Sequence, residues 1–100
     1  MPDLGTAHPE RERTRRILEE RAALLACVRE SLRPENLLSR RELLVFRLLA
    51  HGKSSMQIAT ELGVAAKTVH SHRRNIGVKL NVRSGGELVR YAIQWAHHRE

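Results

Sequence analysis

Four side chains in one short stretch have the types and spacing to read a nucleic acid: Lys67, His70, Ser71 and Arg74. Residues three and four apart share a helix face, so a helix through this stretch presents all four together. Their chemistry is hydrogen bonding to base edges. A guanidinium donates twice to the O6 and N7 of guanine, while histidine and serine donate or accept as the base requires. Arg74 is the candidate for the paired contact, worth about 1–3 kcal/mol of discrimination between bases. His70 and Ser71 complete the base-reading set. Lys67, Thr68, Arg73 and Lys79 flank that set, with Ser54 at the start of the preceding helix. These suit phosphate oxygens, contacts that set affinity and salt dependence without setting sequence. His72 falls on the opposite face with Val69 and Ile76, and is read as a packed, hydrogen-bonded support.

No other grouping of residues supports chemistry. No nucleophile stands beside a base and no carboxylates pair. His70 and His72 face different ways, and His97-His98 is read as a frayed end rather than a ligand cluster. The expectation is a protein that is not an enzyme, with no cofactor and no metal. The single Cys27 excludes an internal disulfide and offers no metal framework. Its apolar neighbours predict a buried, inert thiol.

The charge is concentrated where these residues lie. The chain carries a formal +7 and a pI near 11.0. Residues 39–84 hold nine Lys and Arg against Glu42 and Glu61, whereas residues 1–38 and 85–100 are each neutral. A basic field confined to one segment is the footprint of a polyanion partner. No apolar run approaches the roughly 18 residues that span a bilayer, and no signal peptide is visible, so a cytoplasmic protein is expected. At 100 residues the chain suits one domain with a small core, without a linked sensory domain. With only 3% aromatic residues that core must be aliphatic, which favours packed helices.

The positioning elements announce themselves. Residues 1–9 contain Pro2, Gly5 and Pro9 and are read as a disordered tail. From about Glu10 to Leu32, Leu18, Ala22, Leu25, Val28 and Leu32 form an apolar stripe, and Glu12 and Arg16 stand at pairing distance opposite it. Pro34 ends this helix. Ser39-Arg-Arg-Glu42, Ser54-Ser-Met-Gln57 and Ser84-Gly-Gly-Glu87 each fit a capping box, so three helices start there. The first, about Arg40 to His51, is apolar around much of its circumference and reads as the central strut. Gly52 supplies its left-handed stop. A short helix from about Ser55 to Leu62 and a longer one from about Ala66 to Leu80 flank Gly63, which suits a positive φ, and Asn81 closes the second. The last helix, about Gly85 to His98, bears two stripes. Leu88, Ala92 and Trp95 suit the core; Val89, Ile93 and Ala96 suit a symmetric contact with a second copy. Leu18 and Leu25 of the first helix are assigned to the same dimer interface.

Leu38-Ser39-x-Arg41-Glu42, Leu48-Leu49-Ala50-x-Gly52 and Ile58-Ala59-x-x-Leu62-Gly63-Val64 stand at a specific spacing. Lys67-Thr68-Val69-x-x-His72, Ile76-x-x-Lys79-Leu80, Val82-Arg83-Ser84, Glu87-Leu88 and Tyr91-Ala92 continue it. From Leu38 to about His97 this pattern resembles the LuxR/GerE-type helix-turn-helix family. The resemblance implies an all-α fold: a four-helix domain over residues 38–98, here preceded by one long amphipathic helix over residues 10–33. It also implies binding to promoter DNA as a dimer through the last helix, with base contacts at the positions of His70, Ser71 and Arg74. The chain departs from the family pattern at Ala65, where a capping Ser or Thr is usual. It departs again at Gln57, usually Glu, and at Gly77, usually a large apolar residue. Gly85-Gly86 softens the start of the last helix.

The leading expectation is a small stand-alone regulator that binds double-stranded DNA in the major groove as a homodimer on an inverted repeat. An adaptor that keeps the fold but pairs with another regulator is the alternative, motivated by the uncapped reading helix and the extra N-terminal helix. A sigma-factor segment fits less well, because the last helix and its two stripes go unexplained. Another regulator or RNA polymerase stands as a further partner, and no membrane is expected. The N-terminal helix wraps its own domain, docks a partner or supports the dimer, the last being preferred.

Overall fold

The computed structural model describes residues 9–99. The described regular structure is all helical: α1 (Pro9–Ser31), α2 (Pro34–Leu37), α3 (Arg40–Ala50), α4 (Ser55–Leu62), α5 (Ala66–Leu80) and α6 (Gly85–Arg99). The chain divides into two compact units, Met1–Arg33 and Pro34–Glu100.

In the first unit, proline at the opening position of α1 sacrifices no helical hydrogen bond. Glu10 and Glu12 in the first turn and Arg29 in the last oppose the helix dipole favourably. The disordered tail expected over residues 1–9 lies outside the described residues except for Pro9, which opens α1. Residues 10–31 are all exposed, including Ile17, Leu18, Leu24, Leu25 and Val28. Cys27 is therefore exposed, contrary to the buried thiol expected from its apolar neighbours. The reason is geometric: apolar neighbours along one helix do not cover each other, and a single helix has no interior. Glu12 pairs with Arg15 at 2.6 Å rather than with Arg16. That exposed pair adds a few tenths of a kcal/mol, on the order of other helix-surface pairs.

In the second unit α3 lies between α5 and α6, and α4 packs on α5. Val45, Phe46 and Leu49 of α3 meet Ile58 and Ala59 of α4, Val69 and Ile76 of α5, and Leu88, Ala92 and Trp95 of α6 in one buried cluster. Phe46 sits edge-on to Tyr91 at 5.8 Å and tilted against Trp95 at 5.3 Å, which joins α3 to α6. Burial of a side chain such as Phe46 or Leu49 is worth about 1.5–3 kcal/mol. The girdle of α3 is not closed, because Leu44 faces outward.

Helix starts follow the serine tetrads. Ser39 and Ser54 each form the full reciprocal box: their hydroxyls accept from Glu42 and Gln57 N–H at 3.2 Å, and the Glu42 and Gln57 oxygens accept from Ser39 and Ser54 N–H at 2.8 Å. At Ser84 one half forms, with Glu87 N–H donating to the hydroxyl at 3.2 Å. Gly63 and Asn81 take the left-handed conformation at the ends of α4 and α5.

Helix α2 has no counterpart in the sequence reading. It places Glu35 where Trp95 Nε1–H donates to it at 3.0 Å and Arg99 pairs with it. The Arg99 guanidinium also lies over the Trp95 ring, 5.2 Å from its centre. Burial alone pushes the Glu35 carboxyl up. Its own backbone N–H, the indole N–H and Arg99 outweigh burial and hold it below its ordinary value.

Candidate nucleic-acid interface

The turn between α4 and α5 is built from the backbone. Gly63, at φ 67°, lets its own N–H donate to Thr60 O at 3.3 Å and Val64 N–H donate to Ala59 O at 3.0 Å. Both bonds satisfy carbonyls that the end of α4 would leave open. Ala59 is buried in the same cluster as Val69 and Ile76 of α5. Val69 and Ile76 are wholly buried and set the rotation of α5 about its axis. That rotation leaves Lys67, Thr68, His70, Ser71 and Arg74 exposed on the far side, while His72 and Arg73 are half-buried.

The flanking cations differ in what they do. Lys67 is exposed with no partner among the described residues. Arg73 donates from Nη1 to Ser55 Oγ at 2.9 Å, and its other Nη stands so close to Gly85 that a Cβ there would lie 3.2 Å away. Arg73 thus ties α5 to the start of α4 and lies close to the start of α6. Lys79 Nζ donates to Glu42 Oε1 at 2.6 Å. Glu42 is buried, and burial alone pushes its carboxyl up. Lys79 together with the Ser39 N–H and hydroxyl more than offsets this and holds it below its ordinary value. The bridge ties the C-terminal end of α5 to α3. Ser54 Oγ accepts the Gln57 N–H, which leaves its own proton free to donate.

The two ends of α5 are held unequally. Asn81 N–H donates to Val78 O at 3.2 Å and Val82 N–H to Gly77 O at 2.8 Å, closing the C-terminus. At the N-terminus Ala65 has the extended backbone of a cap, φ −73° and ψ 149°, but no side chain to make the bond.

The stripe of α6 assigned to the core, Leu88, Ala92 and Trp95, is buried. On the second stripe Val89 and Ala96 are half-buried and Ile93 is exposed; on α1 Leu18 and Leu25 are exposed. Two features escaped the sequence reading. Val78, four residues beyond Arg74, is 76% exposed on the same face. Beside it is an open depression of about 530 Å³, bordered by Arg73, Arg74, Arg83 and Ser84. The four-residue step from Arg74 would have picked out Val78; the depression has no sequence signal, because it forms between α5 and the start of α6.

Residues 36–92 match the family described as GerE, bacterial regulatory proteins, luxR family. The chain belongs to the luxR family. It therefore carries the family's DNA-binding helix-turn-helix domain, with α4 and α5 as the two helices of the motif. Among curated relatives, this luxR-family chain is 43% identical over 67 residues to the oxygen regulatory protein NreC of Staphylococcus epidermidis, covering 67% of the chain and 31% of that protein. The NreC of Staphylococcus carnosus is 44% identical over 61 residues, covering 61% and 28% respectively. The NreC of Staphylococcus aureus is 43% identical over 61 residues, with the same coverage. The chain thus spans about three tenths of the length of the curated relatives it matches. No solved structure gives a significant match. No helix among the described residues is long and apolar enough to cross a membrane, and no three of their His, Cys, Asp or Glu residues group to hold a metal ion.

Proposed function

We propose that this luxR-family protein regulates transcription by binding duplex DNA as a homodimer on an inverted repeat, in the cytoplasm and in association with the nucleoid. The observation that carries the reading is the rotation of α5: Val69 and Ile76 are wholly buried, and the opposite face offers His70, Ser71 and Arg74 in the open. These three contact base edges in the major groove. Lys67, Thr68 and Ser54 take phosphates, joined by Arg73 and Lys79 with whatever donors their internal bonds leave free. Arg has five N–H donors and Lys three, so neither is exhausted by one partner. The Val89, Ile93 and Ala96 stripe of α6 pairs with its copy, and Leu18 and Leu25 of α1 extend that contact.

Selection from a random-sequence duplex pool tests this reading. It predicts a palindromic site with half-sites about one helical turn apart, bound more weakly as salt rises. Replacement of Arg74 by alanine should relax the preference at one base position per half-site. Recovery of no preferred sequence would refute it and leave the second reading, an adaptor that pairs with another regulator. The specific observation favouring that second reading is the exposed apolar stripe of α1.

A further inference from the structure

We infer that Val78 is a fourth base-reading residue, one that recognises the C5-methyl group of a thymine in the major groove. The inference rests on the DNA-reading face proposed above. Val78 stands four residues after Arg74 and seven after Ser71, so all three share one side of α5. It is 76% exposed, the highest value among the exposed large apolar side chains of the described residues, on a helix face otherwise made of cations and polar groups. Lysine or arginine there would take a phosphate. A valine offers only two methyl groups, and the base-edge feature that matches them is the thymine methyl, the apolar element of the major-groove code.

A short side chain near the C-terminal end of a reading helix must be brought close to the base. The depression beside Val78 supplies the means. It holds about 530 Å³, and Arg73, Arg74, Arg83 and Ser84 are among the residues that border it. A sugar-phosphate strand drawn into that basic recess carries the neighbouring base edges down onto α5. Four residues of helix rise about 6 Å, and base pairs are about 3.4 Å apart. The thymine therefore lies about two base pairs from the guanine read by Arg74.

The test uses the full chain and the preferred site from random-pool selection. Each thymine is replaced in turn by deoxyuridine, which lacks only the methyl group. Burial of one methyl is worth about 0.8 kcal/mol, or about fourfold in affinity. One position per half-site should show that loss, about two base pairs from the position relaxed by Arg74→Ala. In Val78→Ala, whose changed side chain is exposed and outside the core, the preference for thymine over deoxyuridine at that position should fall below about twofold. Equal binding of thymine and deoxyuridine throughout the site, or a preference that persists in Val78→Ala, overturns the inference while the DNA-reading face stands. Failure to select any site overturns both.

Discussion

The missing cap of the reading helix gives the sharpest quantitative test, because the protein contains its own controls. Ser39 and Ser54 cap α3 and α4 with backbone angles of −67°, 168° and −79°, 166°, and each hydroxyl accepts the N–H three residues on at 3.2 Å. Ala65 has −73°, 149°, nearly the same conformation, and is exposed. A hydroxyl added in Ala65→Ser can therefore reach the Thr68 N–H without backbone change. That N–H now donates only to Ala65 O, at 3.0 Å. Capping serines are typically worth about 1 kcal/mol over alanine. In a domain of this size 1 kcal/mol shifts the melting temperature by roughly 4–8 °C. Thermal unfolding followed by circular dichroism should show a rise in that range. Ala65→Asp should stabilise similarly, since a carboxylate also suits the helix N-terminus. It should nevertheless weaken DNA binding, because it sets a negative charge beside Lys67 and Thr68, the residues proposed to take phosphates. An Ala65→Ser melting temperature at or below that of the parent would refute the reasoning. It would mean that the first turn of α5 is held by something other than its cap geometry.

Lys79→Met leaves the buried Glu42 carboxylate without its strongest partner and should destabilise by about 1–3 kcal/mol, measured by urea unfolding. Both Glu42 and Glu35 titrate below their ordinary value in the folded protein. Each therefore contributes stability above the unfolded glutamate value of about 4.3, and that contribution is lost as pH falls through the lower folded value. Unfolding midpoints should drop on acidification below about pH 4.3, and Glu42→Gln should flatten the drop. Gly77→Ala should raise the melting temperature by a few degrees. Alanine is worth up to about 1 kcal/mol over glycine inside a helix, and the added Cβ meets Val82 O at 3.4 Å, an ordinary contact. Trp95→Phe removes the indole N–H from Glu35 and should cost about 1–3 kcal/mol, beyond the effect of the smaller ring alone, because it leaves a half-buried acceptor short of a donor. Glu35→Gln made in the same background should then cost less than it does alone.

How much of this was legible in the sequence depended on the range of the interaction. The capping serines, Gly63 and Asn81 act on backbone atoms within five residues of themselves, and their structural roles follow from position alone. The face of α5 was legible because Val69 and Ile76 recur at helical spacing. Glu35 to Trp95 spans 60 residues and Glu42 to Lys79 spans 37. No periodic pattern marks such polar pairs, so Lys79 read only as a phosphate contact and α2 did not read as a helix at all. Cys27 shows the opposite limit: apolar neighbours predict burial only where a second element covers them.

The long-range pairs change the physical picture of α5. Its C-terminal half is tied to α3 through Lys79, to the start of α4 through Arg73, and to its own following loop through Val82 N–H. Its N-terminal turn, next to Lys67, Thr68, His70 and Ser71, lacks a side-chain cap. In this chain the residues proposed to read bases thus begin in the part of the helix held by fewer bonds. Arg74 and Val78 lie in the well-held half. A phosphate accepting the open N–H groups of that first turn would supply the missing cap from the DNA side. On this argument Ala65→Ser should reduce the stabilisation that DNA confers on the protein, even as it raises the stability of the protein alone. Melting the parent and the variant with and without a bound site reads this directly. An equal DNA-induced shift in the two proteins would show that the phosphate does not act as the cap.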